Sequence, residues 1–315
     1  MQPPLDLSDG RLGKIVYPSA SPFEIHHILR KLDGAPEHPV FGSLLVPENP
    51  PDGPMPCVVA VHGSLNWRGH HHEHIVRWLD AGMCVFRVHT FDSRLVYSIV
   101  EDQMQVTHAM MLADCYQALR MLATHPAIDA SRIGLAGWSL GGTVALYGAW
   151  EPVAEALAPA GERFAAHLSF YPAAHMRTEV QRWSDKSILV LHGSADDWVP
   201  LKLLEGLVED IRPHGVDITV HVYEGAPHSF DSVEPLDFEP RAIRLDDHRT
   251  LTIDSNGDMW GELGPGVTMP LNEPEDRLAA FQVVGNLGVH KGVDWDARKH
   301  SLGYGTEFLS EKLTT

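Results

Sequence analysis

The sequence has few basic residues and no long apolar run. Its 315 residues include 24 Lys and Arg against 42 Asp and Glu, which gives a formal net charge of −18. Nucleic acid and anionic membranes are therefore not expected partners, because an acidic surface repels both. No stretch reaches the roughly 18 consecutive apolar residues of a transmembrane helix, so we expect no membrane span. The N-terminus has no apolar core preceded by positive charge, so we also expect no signal peptide.

Cysteine is scarce as well. Cys57, Cys84 and Cys115 each lie in an apolar segment, far from one another in the sequence. An odd number in such surroundings predicts buried free thiols and a reducing, cytoplasmic location.

A metal site is not predicted, because the sequence has no HExxH motif and no second ligand cluster beside the histidine-rich segment 70–74 (HHHEH). We interpret that segment as the polar beginning of a helix. The alternative is that one of its histidines borders the substrate pocket. We predict that the protein needs no cofactor.

The sequence does contain an alternation of buried strands and helices. Apolar, β-rich runs at 57–61, 83–88 and 132–136 alternate with segments of helical periodicity such as 104–124. This alternation predicts right-handed crossovers, and hence an α/β fold with a mostly parallel central sheet and helices on both faces. Ligands bind such sheets beyond the carboxyl ends of the strands. We expect a single domain over residues 1–315.

Residues 231–293 interrupt the alternation. Ser255, Asn256 and Gly257 separate two short strand-like segments and predict a hairpin, because Asn-Gly favours positive φ. A calcium loop is the alternative, but its glycine and glutamate are misplaced for an EF-hand. Asn272-Glu273-Pro274 predicts the start of a helix. We therefore predict an insertion of a hairpin and a helix before a C-terminal helix. It either covers the active site or forms a subunit contact.

Ser139 is the candidate nucleophile. It lies in residues 137–142 (GWSLGG), between a predicted strand and a predicted helix. The glycines permit a sharp turn that exposes the serine, and the helix start leaves free N–H groups beside it. The N–H of Leu140 is predicted to stabilise an oxyanion. The second donor is expected from Ser64, or alternatively Leu65, in an upstream loop.

A serine hydroxyl needs a base, and the base needs an orienting carboxylate. His228 follows the predicted strand 218–223, while Asp196 and Asp197 follow the strand 188–191. The chain order Ser, Asp, His is the one expected for a nucleophile at a strand-to-helix turn. The residues alone leave both aspartates open as the acid.

These motifs resemble the dienelactone hydrolase family of α/β-hydrolases. The resemblance covers the segments 46–64, 113–142, 170–172, 193–200 and 227–231, together with the C-terminal helix. The family pattern G-x-x-D-x-x-V-P fits 193–200 and selects Asp196 as the acid. The resemblance implies the α/β-hydrolase fold, with about eight strands, and hydrolysis of small carboxylic esters or lactones.

The sequence departs from the family in three places. Ser139 stands where the founding members have a cysteine, which argues against dienelactone itself as the substrate. His89 stands near the end of the fourth strand, where relatives often carry aspartate. The segment 231–293 is longer than in minimal members.

Aromatic residues beside the motif loops are candidates for the substrate pocket. We predict that Trp138, Tyr171 and Trp198, together with Leu65, line it; packing beneath the loops is the alternative. The predicted reaction is attack of Ser139 on an ester carbonyl of a small-molecule substrate, followed by hydrolysis of the acyl-enzyme. An acyltransferase or peptidase with the same triad is one alternative, and a non-catalytic binding protein of the same fold is a remote one. The oligomeric state stays open, a homodimer being one option.

Overall fold

A computed structural model describes residues 4–264, 266–284 and 286–314. In chain order the strands are β1 (Gly13–Ala20), β2 (Glu37–Leu45), β3 (Met55–Val61), β4 (Cys84–Val88), β5 (Ile128–Trp138), β6 (His167–Phe170), β7 (Met176–Thr178), β8 (Ile188–Gly193), β9 (Ile218–Tyr223), β10 (Asp237–Arg244), β11 (Leu251–Ile253), β12 (Met259–Gly264), β13 (Val267–Pro270) and β14 (Asn286–Lys291). The helices are α1 (Ile25–Arg30), α2 (Gly69–Asp80), α3 (Thr90–Ser93), α4 (His108–Leu122), α5 (Leu140–Tyr147), α6 (Glu151–Leu157), α7 (Leu201–Ile211), α8 (Pro274–Val284) and α9 (Trp295–Thr314).

The central sheet has eight strands in the order β1-β2-β4-β3-β5-β6-β8-β9. All neighbours from β4 to β9 are parallel, whereas β1 and β2 extend the edge in antiparallel pairing. The predicted α/β architecture with a mostly parallel sheet of about eight strands is therefore confirmed.

Helices cover both faces of this sheet, which explains why its central strands are continuously apolar. Every residue of β3 is buried. Its alternate residues face opposite sides: Val59 belongs to the core that contains α4 and α5, while Val58 belongs to the core that contains α2 and α9. The side-chain period of two in a strand thus distributes one apolar run between two hydrophobic cores.

The three cysteines are buried and free, as predicted. The C-terminal helix α9 runs through Gly303 and Gly305, because Leu309 and Leu313 are fully buried against the sheet. Tertiary packing of these side chains outweighs the low helix propensity of the two glycines. Within the described ranges, we find no helix that combines the length and apolar character required to cross a lipid bilayer.

The insertion contains more strands than the sequence predicts. The predicted hairpin is formed by β11 and β12, and the Asp254 carboxylate accepts the N–H groups of Asn256 and Asp258 inside its turn. Strand β13 extends this small sheet, and a parallel pairing of β11 with β7 joins it to the main domain. Strands β10 and β14 form a separate antiparallel ribbon at the two ends of the insertion. The insertion is therefore attached to the domain through backbone hydrogen bonds.

Candidate active site

Ser139 lies at the sharp turn between β5 and α5. Its backbone has φ 54° and ψ −114°, a conformation that costs a non-glycine residue on the order of 1–3 kcal/mol. The neighbouring glycines permit close backbone approach: a Cβ on Gly137 would lie 2.1 Å from the Gly141 carbonyl oxygen. A Cβ on Gly141 would lie 2.3 Å from the carbonyl oxygen of Val61. The motif therefore folds as its sequence predicts, and the serine is raised beyond the end of the strand.

The structure brings Ser139, His228 and Asp196 together. The Oγ of Ser139 lies 2.9 Å from Nε2 of His228, and Nδ1 of the same ring lies 2.7 Å from Oδ2 of Asp196. With the imidazole proton on Nδ1, the ring donates to the carboxylate and accepts from the hydroxyl. His228 is 1% exposed and Asp196 is 5% exposed, so water does not compete for these hydrogen bonds.

The two adjacent aspartates have different roles. Oδ1 of Asp196 accepts the backbone N–H groups of Trp198 and Val199 at 3.0 and 2.9 Å, which fixes the carboxylate while Oδ2 faces the imidazole. Asp197 instead contacts His290 on β14, at 2.7 Å from its Nδ1. Asp196 is therefore the carboxylate at the candidate triad, and Asp197 holds the insertion.

The oxyanion loop packs directly against the nucleophile turn. A Cβ on Gly63 would lie 3.1 Å from the Trp138 carbonyl oxygen and 3.2 Å from Cβ of Ser139. Among the hydrogen bonds of the described residues, none uses the backbone N–H of Ser64 or Leu65. The N–H of Leu140, at the first position of α5, has no intrahelical acceptor. Ser64 and Leu140 also line the same cavity as Ser139, so both are retained as candidate oxyanion donors.

A cavity of about 210 Å³ opens at the candidate triad. Ser139, Leu140, Ser64 and Trp198 line it, in agreement with their predicted positions. The pocket prediction needs correction for the other three residues. Leu65 is not among the residues that line the cavity.

Trp138 and Tyr171 face away from the cavity, into the core beneath the loops. Trp138 is fully buried and stacks on Trp78 and Phe170, while Tyr171 is 1% exposed. Both donate hydrogen bonds to the carboxylate of Asp231. The sequence places these aromatic residues beside the motif, but it does not show the direction of each side chain.

The insertion supplies part of the wall of the cavity. Its contributions include Ile243 on β10, Leu251 on β11, Met259 on β12 and Phe281 on α8. These apolar residues line the same cavity as Ser139. The insertion therefore covers the site, which is one of the two roles that the sequence leaves open. The hairpin and helix motifs identify these elements, but only the long-range pairing with β7 places them over the nucleophile.

Most charged groups of the cavity wall are paired. Arg277 on α8 binds the buried Glu24 through two hydrogen bonds of 2.5 and 2.6 Å. Burial raises the pKa of Glu24, and Arg277 offsets part of that effect. His175 is neutral at physiological pH, because burial lowers its pKa to about 4. Arg244 differs: no side-chain hydrogen bond or ion pair of the described residues involves it, and its Nε is buried without a partner.

The histidine-rich segment lies in the first half of α2 and does not line the cavity. His70, His71 and His74 are buried. The ring of His71 lies 4.6 Å from that of Trp138, and His74 Nε2 lies 3.1 Å from Oδ2 of Asp231. The prediction of a helix start is correct, but these histidines pack beneath the nucleophile turn and do not face solvent.

Comparisons with known proteins agree with this architecture. The sequence profile described as the Dienelactone hydrolase family matches residues 42–246. A protein of a Bradyrhizobium species named "Probable 2-oxo-3-(5-oxofuran-2-ylidene)propanoate lactonase" is 28% identical over 130 residues, which are 38% of this chain and 48% of that protein. The chain thus matches about half the length of this relative.

Solved structures show the same fold. The dienelactone hydrolase-like promiscuous phosphotriesterase P91 from metagenomic libraries has a TM-score of 0.53 at 17% identity, over 95% of this chain and 99% of that one. Esterase 2 of Thermogutta terrifontis, phosphoramylated by tabun, has a TM-score of 0.50 at 18% identity, over 61% of this chain and 80% of that one. At these identities the similarity concerns the fold alone.

Proposed function

The chain belongs to the dienelactone hydrolase family, and on that premise we propose that it hydrolyses small carboxylic esters or lactones through Ser139, His228 and Asp196. The observation that carries the proposal is the continuous series of hydrogen-bond distances, 2.9 Å from hydroxyl to imidazole and 2.7 Å from imidazole to carboxylate. Three loops that are distant in sequence supply these groups at the carboxyl edge of one sheet. This arrangement activates a serine toward a carbonyl carbon.

The reaction proceeds in two halves. His228 Nε2 accepts the Ser139 proton while Oγ attacks the carbonyl carbon, and the imidazolium then protonates the leaving alkoxide. The acyl-enzyme is hydrolysed by a water molecule that His228 deprotonates, which releases the acid and restores the serine. Asp196 holds the imidazole and stabilises its charged form. The N–H groups of Leu140 and Ser64 stabilise the oxyanion, and removal of one such donor typically costs about 3 kcal/mol.

The cavity favours a small, largely apolar substrate. Its volume of about 210 Å³ suits a short acyl or alcohol group, and the insertion contributes apolar side chains to its lining. A lactone is a chemically equivalent substrate, since its ring opening begins with the same attack. Within this class, a lactone that carries a carboxylate is one candidate, because Arg244 lines the cavity without an acidic partner. The named substrate of the Bradyrhizobium relative, a propanoate, supports this choice.

The test is hydrolysis of short p-nitrophenyl esters by the wild type and by Ser139→Ala. We expect the variant to keep its fold and to lose on the order of a millionfold in kcat. Ser187→Ala is the matched control, because its hydroxyl bonds to Asp217 at the domain surface. Unchanged turnover in a pure Ser139→Ala sample would contradict the proposal.

Two further measurements separate the alternatives. Competing alcohols and peptide anilides, with product analysis, distinguish a hydrolase from an acyltransferase or a peptidase. A non-catalytic protein would neither turn over esters nor react with a fluorophosphonate.

A further inference from the structure

Asp231 is a fully buried carboxylate close to the candidate triad. Its side chain is 0% exposed and accepts three hydrogen bonds. Tyr171 donates its hydroxyl to Oδ1 at 2.7 Å, while Nε1 of Trp138 and Nε2 of His74 both lie 3.1 Å from Oδ2. Burial raises the pKa of Asp231, but the interaction with His70 and the hydrogen bond from His74 outweigh it and hold the pKa well below its usual range. The carboxylate is therefore ionised and can accept all three bonds.

Each partner of Asp231 adjoins, follows or packs against a segment that carries a catalytic group. Trp138 directly precedes the nucleophile Ser139. The Tyr171 ring packs against the ring of His228, with 4.7 Å between centroids. Asp231 itself lies three residues after His228, on the same loop. The third partner, His74, belongs to α2, the helix that follows the oxyanion loop. One carboxylate thus connects the segments that supply nucleophile, base and oxyanion donor.

The same segments contain unfavourable backbone conformations. Ser139, Tyr171 and Ser229 have φ of 54°, 38° and 59°, which places three non-glycine residues in the left-handed region within this small volume. Such conformations persist only where surrounding contacts determine them, and they concentrate at functional sites. The hydrogen bonds of Trp138 and Tyr171 to Asp231 hold two of these turns directly. Ser229 lies between His228 and Asp231.

We propose that Asp231 is a positioning residue for ester hydrolysis, one that fixes Ser139 and His228 relative to each other through Trp138 and Tyr171. The inference rests on the proposed function. A buried carboxylate contributes little to net stability, because well-packed apolar residues fill such space at lower cost. The carboxylate instead constrains orientation, because it accepts hydrogen bonds from three elements at defined angles. Apolar contacts impose no such angles.

The test is Asp231→Asn, which preserves the size of the side chain. The amide oxygen can accept from Trp138 and His74, but the amide nitrogen then faces the Tyr171 hydroxyl and reverses that hydrogen bond. We expect kcat per active site to fall about 10- to 100-fold, because small displacements of reacting groups have effects of this size. KM should change by less than about twofold, since no contact with the substrate is altered.

Asp114→Asn is the matched control. Asp114 is equally buried and accepts hydrogen bonds from Ser19, Thr90 and Arg94, and none of its hydrogen bonds among the described residues involves the triad. Both variants should lose stability in urea, but Asp114→Asn should keep the kcat of the wild type. Active sites are counted by end-point titration with a fluorophosphonate, so that unfolded protein does not lower kcat.

Wild-type kcat per titrated site in Asp231→Asn would overturn the inference and leave the proposed function intact. Absence of ester hydrolysis in the wild type would instead contradict the proposed function. If Asp231→Asn does not fold, Tyr171→Phe decides, because it removes the hydroxyl that bonds to Asp231 and keeps the ring against His228. We then expect a several-fold loss of kcat at unchanged KM, and an unchanged kcat would reject the role.

Discussion

Substitution of Asp196 by Asn tests the orientation of the catalytic imidazole. Oδ1 of Asp196 accepts two backbone N–H groups, from Trp198 and Val199. An asparagine must keep its side-chain oxygen at that position, because its NH₂ group cannot accept a hydrogen bond from these two backbone N–H groups. Its NH₂ group is therefore directed at Nδ1 of His228. The ring can pair with this donor only if Nδ1 is unprotonated, so that Nε2 carries the proton and cannot accept the one from Ser139.

The expected loss follows from this change of tautomer. A comparable substitution in a serine protease lowers kcat about 10⁴-fold, which corresponds to about 5.5 kcal/mol of lost transition-state stabilisation. The fold should survive, because both backbone hydrogen bonds to the side-chain oxygen are preserved. We therefore expect a folded, nearly inactive protein.

Initial rates with p-nitrophenyl acetate measure the effect, and circular dichroism monitors the fold. Asp197→Asn is the matched control: its side chain contacts His290 on the insertion, so kcat should stay within about threefold of the wild type. A folded Asp196→Asn variant with a kcat within tenfold of the wild type would refute the assignment of Asp196 as orienting acid. An Asp197→Asn variant with the larger loss would reverse the two roles.

Three further predictions concern backbone, cavity wall and pH. Gly141→Ala should abolish soluble folded protein or activity, because its Cβ would lie 2.3 Å from a backbone oxygen. The Cβ of Gly303→Ala meets nothing within 4 Å, so this substitution should raise stability by about 0.5–1 kcal/mol in urea unfolding. Equal effects of the two substitutions would contradict the packing around Gly141. Arg277→Leu leaves the Glu24 carboxylate buried without its ion-pair partner and should lower the free energy of unfolding by about 3 kcal/mol. The added substitution Glu24→Leu should restore part of this loss. A double variant no more stable than Arg277→Leu would show that the pair is unimportant. Desolvation lowers the pKa values of three histidines to about 4. As the pH falls below about 6.5 the unfolded chain therefore binds their protons first, and urea unfolding should show stability falling between about pH 6.5 and 4. A constant or rising stability over this range would contradict the assignment of these rings as neutral in the folded protein. These histidines are His62, His167 and His175.

The sequence predicts the parts of this molecule that local patterns determine. Alternating apolar runs predict the sheet, and the glycines around Ser139 predict the turn because close backbone approach allows no other residue there. Asp196 differs from Asp197 in the sequence only through the family pattern. In the structure it differs because its backbone places it toward His228.

Other features depend on contacts between distant segments. The pairing of β11 with β7, and of β10 with β14, joins residues that no local pattern connects. The part of the cavity wall that the insertion supplies could therefore not be predicted from the sequence. Trp138 and Tyr171 adjoin the motif loops, but the hydrogen bonds to Asp231 turn them into the core. The direction of a side chain is set by its partners, and Asp231 lies 93 residues from Trp138.

The most direct test of the account is the site at which a fluorophosphonate reacts. Intact mass and peptide mapping should show one adduct per chain, on the peptide that contains Ser139. The adduct should be absent in Ser139→Ala, and it should form far more slowly in His228→Ala. A stoichiometric adduct on another residue, or no adduct on a folded wild-type protein, would contradict the claim that the imidazole of His228 activates the hydroxyl of Ser139.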